Sequence, residues 1–340
     1  MNVLVTGGAG FIGSNFVRLA ATSKPNWKVT VLDKLTYAGN LASISELIRD
    51  EAVTFVRGDI ADNQLVSDLF SRSNFDLVFN FAAESHVDRS LLHPEEFVKT
   101  NVLGTQVLLS NFINHKRGRF IQVSTDEVYG SLGATGVFYE NTPLDPSSPY
   151  SASKAGADQL VIAAHRSLKA DVVVTRCTNN YGAFQFPEKF LPLFISNAIE
   201  GKPLPLYGNG QNVRSWIHVH DHNRAVFAVA EKGVAGEVYN IGPDSDGELP
   251  NISVAEQIIL LTGAPKTQLK FVTDRPGHDL RYAVDSSKLR KLTGWKPQVS
   301  FRDGLKETVD WYRSNKEWVS QVKSGEYLKF FEQNYGGRGI

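Results

Sequence analysis

VLVTGGAGFIGSNF, Val3 to Phe16, decides the fold. A β-branched apolar run ends at Thr6, glycines follow at Gly7, Gly10 and Gly13, and an apolar stretch of helical length begins at Ile12. A strand that turns directly into a helix on glycines brings free backbone N–H groups and the positive end of the helix dipole to one point. A pyrophosphate can approach backbone that closely only where no Cβ stands in the way. The spacing G-x-x-G-x-x-G is a variant of the dinucleotide-binding fingerprint, and it has a strand before it and a helix after it. Gly7, Gly10, Phe11, Ile12 and Gly13 are therefore expected to cradle the phosphates of a dinucleotide.

The next strand candidate, Val29–Leu32, runs into Asp33, twenty residues after Gly13. A carboxylate at that distance accepts hydrogen bonds from the adenosine hydroxyls and repels a 2′-phosphate, which favours NAD over NADP. Its plainer reading, a turn or cap residue, loses weight beside the glycines. Lys34 and Thr36 continue the same wall, and Asp59-Ile60, after the third strand candidate Thr54–Arg57, is placed beside the adenine. Further short apolar runs at Leu77–Phe81, Phe120–Val123 and Val172–Arg176 lack polar alternation, as strands covered on both faces do. Helix-length segments lie between them, including Ile12–Ala21, Phe97–His115 and Tyr150–Leu168. This order predicts an α/β, Rossmann-type doubly wound parallel sheet with right-handed crossovers. Past Asn179 the chain turns rich in proline and aromatics, as in FQFPEKFLPLF, so a smaller, partly discontinuous substrate domain is expected over 179–340. The dinucleotide domain is placed at 1–178, with a return to it around 212–241.

Lysine plus arginine equals aspartate plus glutamate, 36 each, so no global field recruits nucleic acid or an acidic membrane. The first residues lack a basic region and are broken early by glycine, and no apolar run is long enough to span a bilayer. The single cysteine, Cys177, excludes an intramolecular disulfide and suits a reducing, cytoplasmic setting. The final residues, Gly336 to Ile340, read as a loose tail.

SPYSASKAG sets Tyr150 and Lys154 four apart, on one face of a helix that starts at Pro149. An ammonium beside a phenol favours the phenolate, giving a group able to take a hydroxyl proton as hydride leaves for nicotinamide. Tyr-x-x-x-Lys alone is a common pattern; behind a dinucleotide fingerprint it is a sharper one.

At this point TGGAGFIG, NFAAESHVDRS, NVLGT, SPYSASKAG and RCTNNYG together resemble the extended short-chain dehydrogenase/reductase family. The resemblance implies a nucleotide-sugar substrate. STDEVYG, FAAESHVDRS, NNYGAFQFPEKFLPLF, YGNGQNVRSWIHVHDH and DRPGHDLRY narrow it to a branch, the dTDP-glucose 4,6-dehydratases. That chemistry needs two carboxyl groups side by side. Oxidation of a hexose at C4 acidifies the C5 proton, a base removes it, and an acid protonates the departing C6 hydroxyl. Glu127 is the candidate base and Asp126 the candidate acid, with Thr125 before them; crowding two like charges raises the proton affinity of the pair. The plainer reading, two solvated acids after a strand, ranks below catalysis because Tyr150 and Lys154 follow on the next helix.

The resemblance further implies that Phe81, Ala82, Ala83, Ser85, Thr100 and Asn180 contact NAD. Ser85, Thr125 and Asn179 would contact the sugar, and Lys189, Arg214 and Arg275 the diphosphate and its surroundings. Phe190, Pro205 and Tyr207, the last offering a stacking face, with Asn251, His278 and Tyr282, would complete the nucleotide pocket. NAD would stay bound and be regenerated each cycle. His218, His220 and His222 would share one face if HVHDH were a strand, but the family pattern holds no metal there and none is assigned. A homodimer is expected, through a four-helix bundle built from 97–115 and 150–168 of each copy. The reading is thus conversion of dTDP-glucose to a 4-keto-6-deoxy sugar, for rhamnose or another deoxysugar. The rivals are a 4,6-dehydratase of UDP-glucose, an epimerase or decarboxylase of the same fold, and an NAD-sensing protein without enzymatic activity.

Overall fold

All six apolar runs become strands of one sheet. In the computed structural model, which describes residues 1–323 apart from 116, 245, 246 and 276, these are β1 (Asn2–Thr6), β2 (Lys28–Asp33), β3 (Val53–Arg57), β4 (Leu77–Asn80), β5 (Arg119–Thr125) and β6 (Val172–Cys177). The tail read at Gly336 to Ile340 lies outside the described residues. Every pairing is parallel, β1 with β2 and β4, β2 with β3, β4 with β5, and β5 with β6. The order across the sheet reverses beside β1, with β2 and β3 to one side and β4, β5 and β6 to the other. Loops leaving β1 and β4 therefore part in opposite directions, and the crevice over their carboxyl ends is where such sheets bind ligands.

Helices cover both faces. Against one lie α1 (Phe11–Ser23) and a late helix, Val219–Lys232. Phe16 packs between Phe79 and Phe227 there, with ring centroids 4.5 Å apart on each side. Emptying such a site to alanine costs about 3–5 kcal/mol, enough to keep the crevice rigid from beneath. The other face is covered by α2 (Asn63–Arg72), α3 (Thr105–His115) and α4 (Pro149–Leu168), which bury Phe70, Leu108, Phe112 and Val161.

The expected helix over Phe97–His115 is not one regular helix. Val98–Gly104 forms a π-turn before α3 begins. Asn101 explains the widening: its Oδ1 accepts from Glu84 N at 2.9 Å, and its Nδ2 donates to Glu84 O at 3.0 Å and to Ser153 Oγ at 2.8 Å. These bonds draw the turn towards the exit of β4, with Thr100 on the crevice wall.

Past β6 the short strands β7 (Asn179–Tyr181), β8 (Leu204–Tyr207), β9 (Val213–His218), β10 (Val238–Ile241), β11 (Glu248–Pro250) and β12 (Leu269–Val272) follow. Here the expected return needs adjustment. Ser215 lies in β9, which belongs to a separate three-stranded sheet with β7 and β11. The chain rejoins the large sheet only at β10, which pairs with β6. β8 and β12 pair with each other. A second apolar core, with Tyr181, Phe194, Trp216, Ile258 and Leu305, holds this part together.

Candidate active site

A crevice enclosing about 1530 Å³ of space, its mouth included, opens over the carboxyl ends of the large sheet. Gly7, Gly10, Phe11, Ile12 and Gly13 line it where β1 hands over to α1. Gly7 has φ +68°, and a Cβ there would sit 2.6 Å from Ala82 N; one on Gly13 would sit 2.2 Å from Gly7 O. Neither position admits a side chain. The first bond of the helix runs from Ser14 N to Gly10 O at 2.9 Å, so the N–H groups of Phe11, Ile12 and Gly13 fall outside the helical ladder. Gly10 supplies no side-chain cap. An anion is the natural partner for such an end.

Asp33, Lys34, Thr36, Asp59 and Ile60 line the crevice at the β2–β3 side. Asp33 accepts from Ala9 N at 2.9 Å and Leu35 N at 2.8 Å, so the carboxylate is aimed by backbone. Burial raises its proton affinity against those two bonds. Asp59 is paired with Lys34 at 2.8 Å. Phe81, Ala82, Ala83, Ser85 and Thr100 line the middle, and Tyr150, Lys154 and Asn180 the β5–β6 side. The Oδ1 of Asn180 is buried without a hydrogen-bond partner among the described residues, an acceptor that a bound ligand would satisfy. Glycine loop, open helix end and ribose-facing carboxylate fit a dinucleotide.

The acid pair sits where β5 breaks into a short 3₁₀ turn, Asp126–Tyr129. Thr125 caps it, accepting from Glu127 N at 3.2 Å and donating to Asp126 Oδ1 at 3.3 Å. Val128 and Tyr129 anchor the turn in a small cluster with Phe138 and Tyr282. Asp126 is 1% exposed and its Oδ2 has no hydrogen-bond partner among the described residues. Burial, and then the neighbouring Glu127, push its carboxyl up to about 8. Glu127 is less enclosed; burial raises it too, against the opposing charges of Arg275, Arg214 and Lys189. Burial thus favours the protonated form of Asp126 at neutral pH.

Ser148 caps α4 through a reciprocal box with Ser151, and Pro149 opens the helix, which sets Tyr150 and Lys154 on the crevice side. The expected lowering of the Tyr150 phenol by Lys154 is not what this cavity produces. Burial, followed by the Glu127 charge, raises the phenol well above its ordinary value. Lys154, itself lowered by burial, donates to Val123 O at 2.7 Å. Beside them Cys177 is buried, and burial, then Asp126, hold its thiol up to about 12.

A second chamber of about 950 Å³ adjoins the first. Glu127, Asn179, Asn180, Gln185, Glu188 and Lys189 line both, so Glu127 stands at a doorway between them, with Asp126 beside it in the first chamber. Phe190, Pro205, Tyr207, Arg214, Asn251, Arg275, His278 and Tyr282 come together in the lining of the second chamber. Arg214 is held over the Tyr282 ring, 4.5 Å from its centroid, and donates to Asp279 O at 3.0 Å. Lys189 donates to Ser85 O. Burial lowers His278 to about 4, with Arg275 and Arg214 adding to the effect, so it faces the chamber neutral. Asn179 and Asn251 each present a buried Oδ1 without a partner. Tyr207 is edge-on to His278 and its hydroxyl donates to Asp88 at 3.0 Å.

Asp88 was not singled out from sequence. It also accepts from Arg275 at 2.9 Å, and although burial opposes it, Arg275 holds the carboxyl at about 2. Asp279 is a second omission: its carboxylate accepts from Ser147, at the entry to α4, and from Tyr282. Both lie inside stretches that carried the resemblance, HVDRS and DRPGHDLRY, but no spacing rule marks them. The one-face arrangement of HVHDH does not form, because β9 ends at His218 and the helix Val219–Lys232 begins. His222 is fully buried in that helix while His220 points outward. Among the described residues no group of three His, Cys, Asp or Glu is placed to hold a metal.

A family model described as GDP-mannose 4,6 dehydratase matches residues 4–308. A dTDP-glucose 4,6-dehydratase of Streptomyces niveus is 50% identical over 328 residues, covering 95% of this chain and 96% of the relative. The crystal structure of dTDP-glucose 4,6-dehydratase from Bacillus anthracis str. Ames in complex with NAD matches with a TM-score of 0.89 at 47% identity, covering 95% of this chain and all of that one. DesIV, a dTDP-glucose 4,6-dehydratase of Streptomyces venezuelae solved with NAD and TYD bound, matches with a TM-score of 0.91 at 48% identity and the same coverage.

Proposed function

The chain belongs to the dTDP-glucose 4,6-dehydratase family, within the extended short-chain dehydrogenases/reductases, and from that membership we propose the reaction and the residues that carry it. The enzyme is an NAD-dependent hydro-lyase that converts dTDP-glucose to dTDP-4-keto-6-deoxyglucose and water. The glycine turn, the open end of α1 and Asp33 would hold NAD in the first chamber, where it would supply the acceptor of the C4 hydride and its later donor at C6. The nucleotide diphosphate lies in the second chamber among Lys189, Arg214 and Arg275, since a buried diphosphate requires cations. The hexose then spans the doorway.

Tyr150 takes the proton of the C4 hydroxyl. To serve as that base the phenol must first give up its own proton, which burial opposes, and the positive charge of Lys154 on its helix face favours the phenolate that results. Glu127 removes the C5 proton, Asp126 protonates the C6 hydroxyl as it leaves as water, and Glu127 returns its proton to C5. The proton gained at Tyr150 balances the one Asp126 gives up. The observation that carries this reading is the adjacent carboxyl pair, Asp126 enclosed in the first chamber and Glu127 less enclosed where the two chambers meet. An epimerase needs no such pair.

The test is incubation with dTDP-glucose and UDP-glucose in parallel, without added NAD. A 4-keto product from the first and little from the second is expected; one thymine methyl is worth about 1–3 kcal/mol. No keto product from either would overturn the reading.

The same reading makes the enzyme cytoplasmic, a supplier of rhamnose or another deoxysugar, and a homodimer. No helix among the described residues is long and apolar enough to cross a membrane. Val98 and Leu103, on the π-turn, are 55% and 50% exposed, and Leu91 and Leu92, on the short helix that precedes it in the chain, are 42% and 43% exposed, apolar side chains that a second copy would cover. Val107, Leu109 and Phe112 are already buried against the sheet, so only the start of the 97–115 segment is free to pair. A monomeric mass in solution at micromolar concentration would remove the dimer.

A further inference from the structure

Three segments that wall the first chamber are tied to one another by Tyr37 and Arg89, which do not line it, and by Glu188, which does. The loop after β2 lines the crevice with Thr36, Ala38 and Gly39; Tyr37, between them, does not. The chain after β4 lines it with Glu84 and Ser85, and Arg89 follows one turn on. The loop after β7 contributes Gln185 and Glu188. Arg89 lies flat against Tyr37, its guanidinium carbon 3.8 Å from the ring centroid, and its Nε donates to Glu188 at 3.0 Å. The Glu188 side chain is 2% exposed and that of Arg89 17%. Phe186 meets Tyr37 edge-on with centroids 5.7 Å apart.

Two of these segments are also fastened to the floor. Asn40 N donates to Ala9 O at 3.0 Å, fixing the β2 loop to the glycine turn. Asn15, on α1, donates to Ala183 O at 2.9 Å, fixing the β7 loop to the helix. The two loops therefore each attach near the start of α1, and the Tyr37–Arg89–Glu188 contacts join them to each other. A guanidinium sandwiched between a ring and a buried carboxylate is among the firmer side-chain contacts available, because both attractions act out of water.

We propose that Tyr37, Arg89 and Glu188 form a clasp that retains the dinucleotide, so that the cofactor cannot leave unless the two loops part. The proposal rests on NAD being the resident cofactor and says why it stays through successive turnovers. Tyr37 and Arg89 are positioning residues, acting through the walls they hold.

The test measures retention directly. Enzyme as purified is dialysed, denatured, and its released nucleotide quantified; in parallel, exchange of bound cofactor against excess labelled NAD is timed. Tyr37→Ala and Arg89→Ala should each speed exchange at least tenfold and leave the dialysed protein depleted. Tyr37→Phe, which keeps the ring, should exchange as the parent does, and Arg89→Lys should fall between, since an ammonium cannot stack and pair at once. With NAD in excess, the KM for nucleotide sugar should stay near the parent value. Exchange within twofold of the parent in both alanine variants would overturn the clasp. Should Arg89→Ala fail to fold, Tyr37→Ala against Tyr37→Phe decides alone. A parent protein that carries no NAD and binds none would instead strike the reading on which the clasp rests.

Discussion

The two chambers are built by different means. The first is a backbone construction, with a glycine turn too tight for any Cβ, a helix end with its N–H groups open, and a carboxylate aimed by two peptide N–H groups. The second is made of side chains gathered from distant parts of the chain, Lys189, Arg214 and Arg275, held by carbonyls and by Asp88. Backbone sites are rigid and tolerate little change. Side-chain sites are adjustable, and each member can be removed singly.

The sharpest challenge to that contrast falls on the doorway. Asp126→Asn should lower turnover by about 10²–10⁴-fold, the usual range for a lost general acid, while NAD content and nucleotide binding stay as they were. In the parent, turnover should decline as pH rises past about 8, where Asp126 loses its proton, and on the acid side as Glu127 gains one. A wild-type rate in Asp126→Asn would reassign the acid.

Next in size is Arg275→Ala. Losing a charge-assisted contact of about 1.5–3 kcal/mol should raise the KM for dTDP-glucose by roughly 10–150-fold, with Asp88 left uncompensated in the wall. Its bound NAD should be unchanged. If cofactor were lost as well, the chambers would not be separable and the comparison would fail.

The smallest effect is on stability. The Asp126 carboxyl titrates at about 8 in the folded protein, against an ordinary value near 4, so the native state holds a proton the unfolded chain releases between these limits. Stability therefore falls as pH rises through that window. Asp126→Asn escapes this penalty, and its melting midpoint should exceed the parent's by a few degrees at pH 8.5 and by less at pH 5.5. Equal differences at both pH values would mean that the carboxyl is not held protonated.

How much could be read in advance follows from the same contrast. Gly7, Gly13 and Asp33 were legible because a turn, a helix end and a strand end recur at fixed spacing. Tyr150 and Lys154 were legible because one helical turn fixes their relation. Arg214 and Arg275 came only from resemblance, since nothing in local periodicity brings residues 61 apart together. Asp88 and Asp279 escaped notice because each acts on other side chains, and a carboxylate that orients an arginine or a tyrosine looks, in sequence, like any surface acid. The π-turn escaped for a related reason: the apolar pattern of 97–115 is helical, and the bonds of Asn101 to Glu84, which widen it, are long-range.

The doorway also bears on the enzyme's own survival. Once water has left, the sugar is a conjugated ketone, an electrophile of the kind that alkylates thiols, and the chain's lone cysteine stands in the wall of the crevice where it forms. Only a thiolate attacks such a centre readily, and Cys177, enclosed and facing Asp126, keeps its hydrogen until about pH 12. The sulfur is thereby made a bystander. The burial that arms the acid disarms the nucleophile next to it.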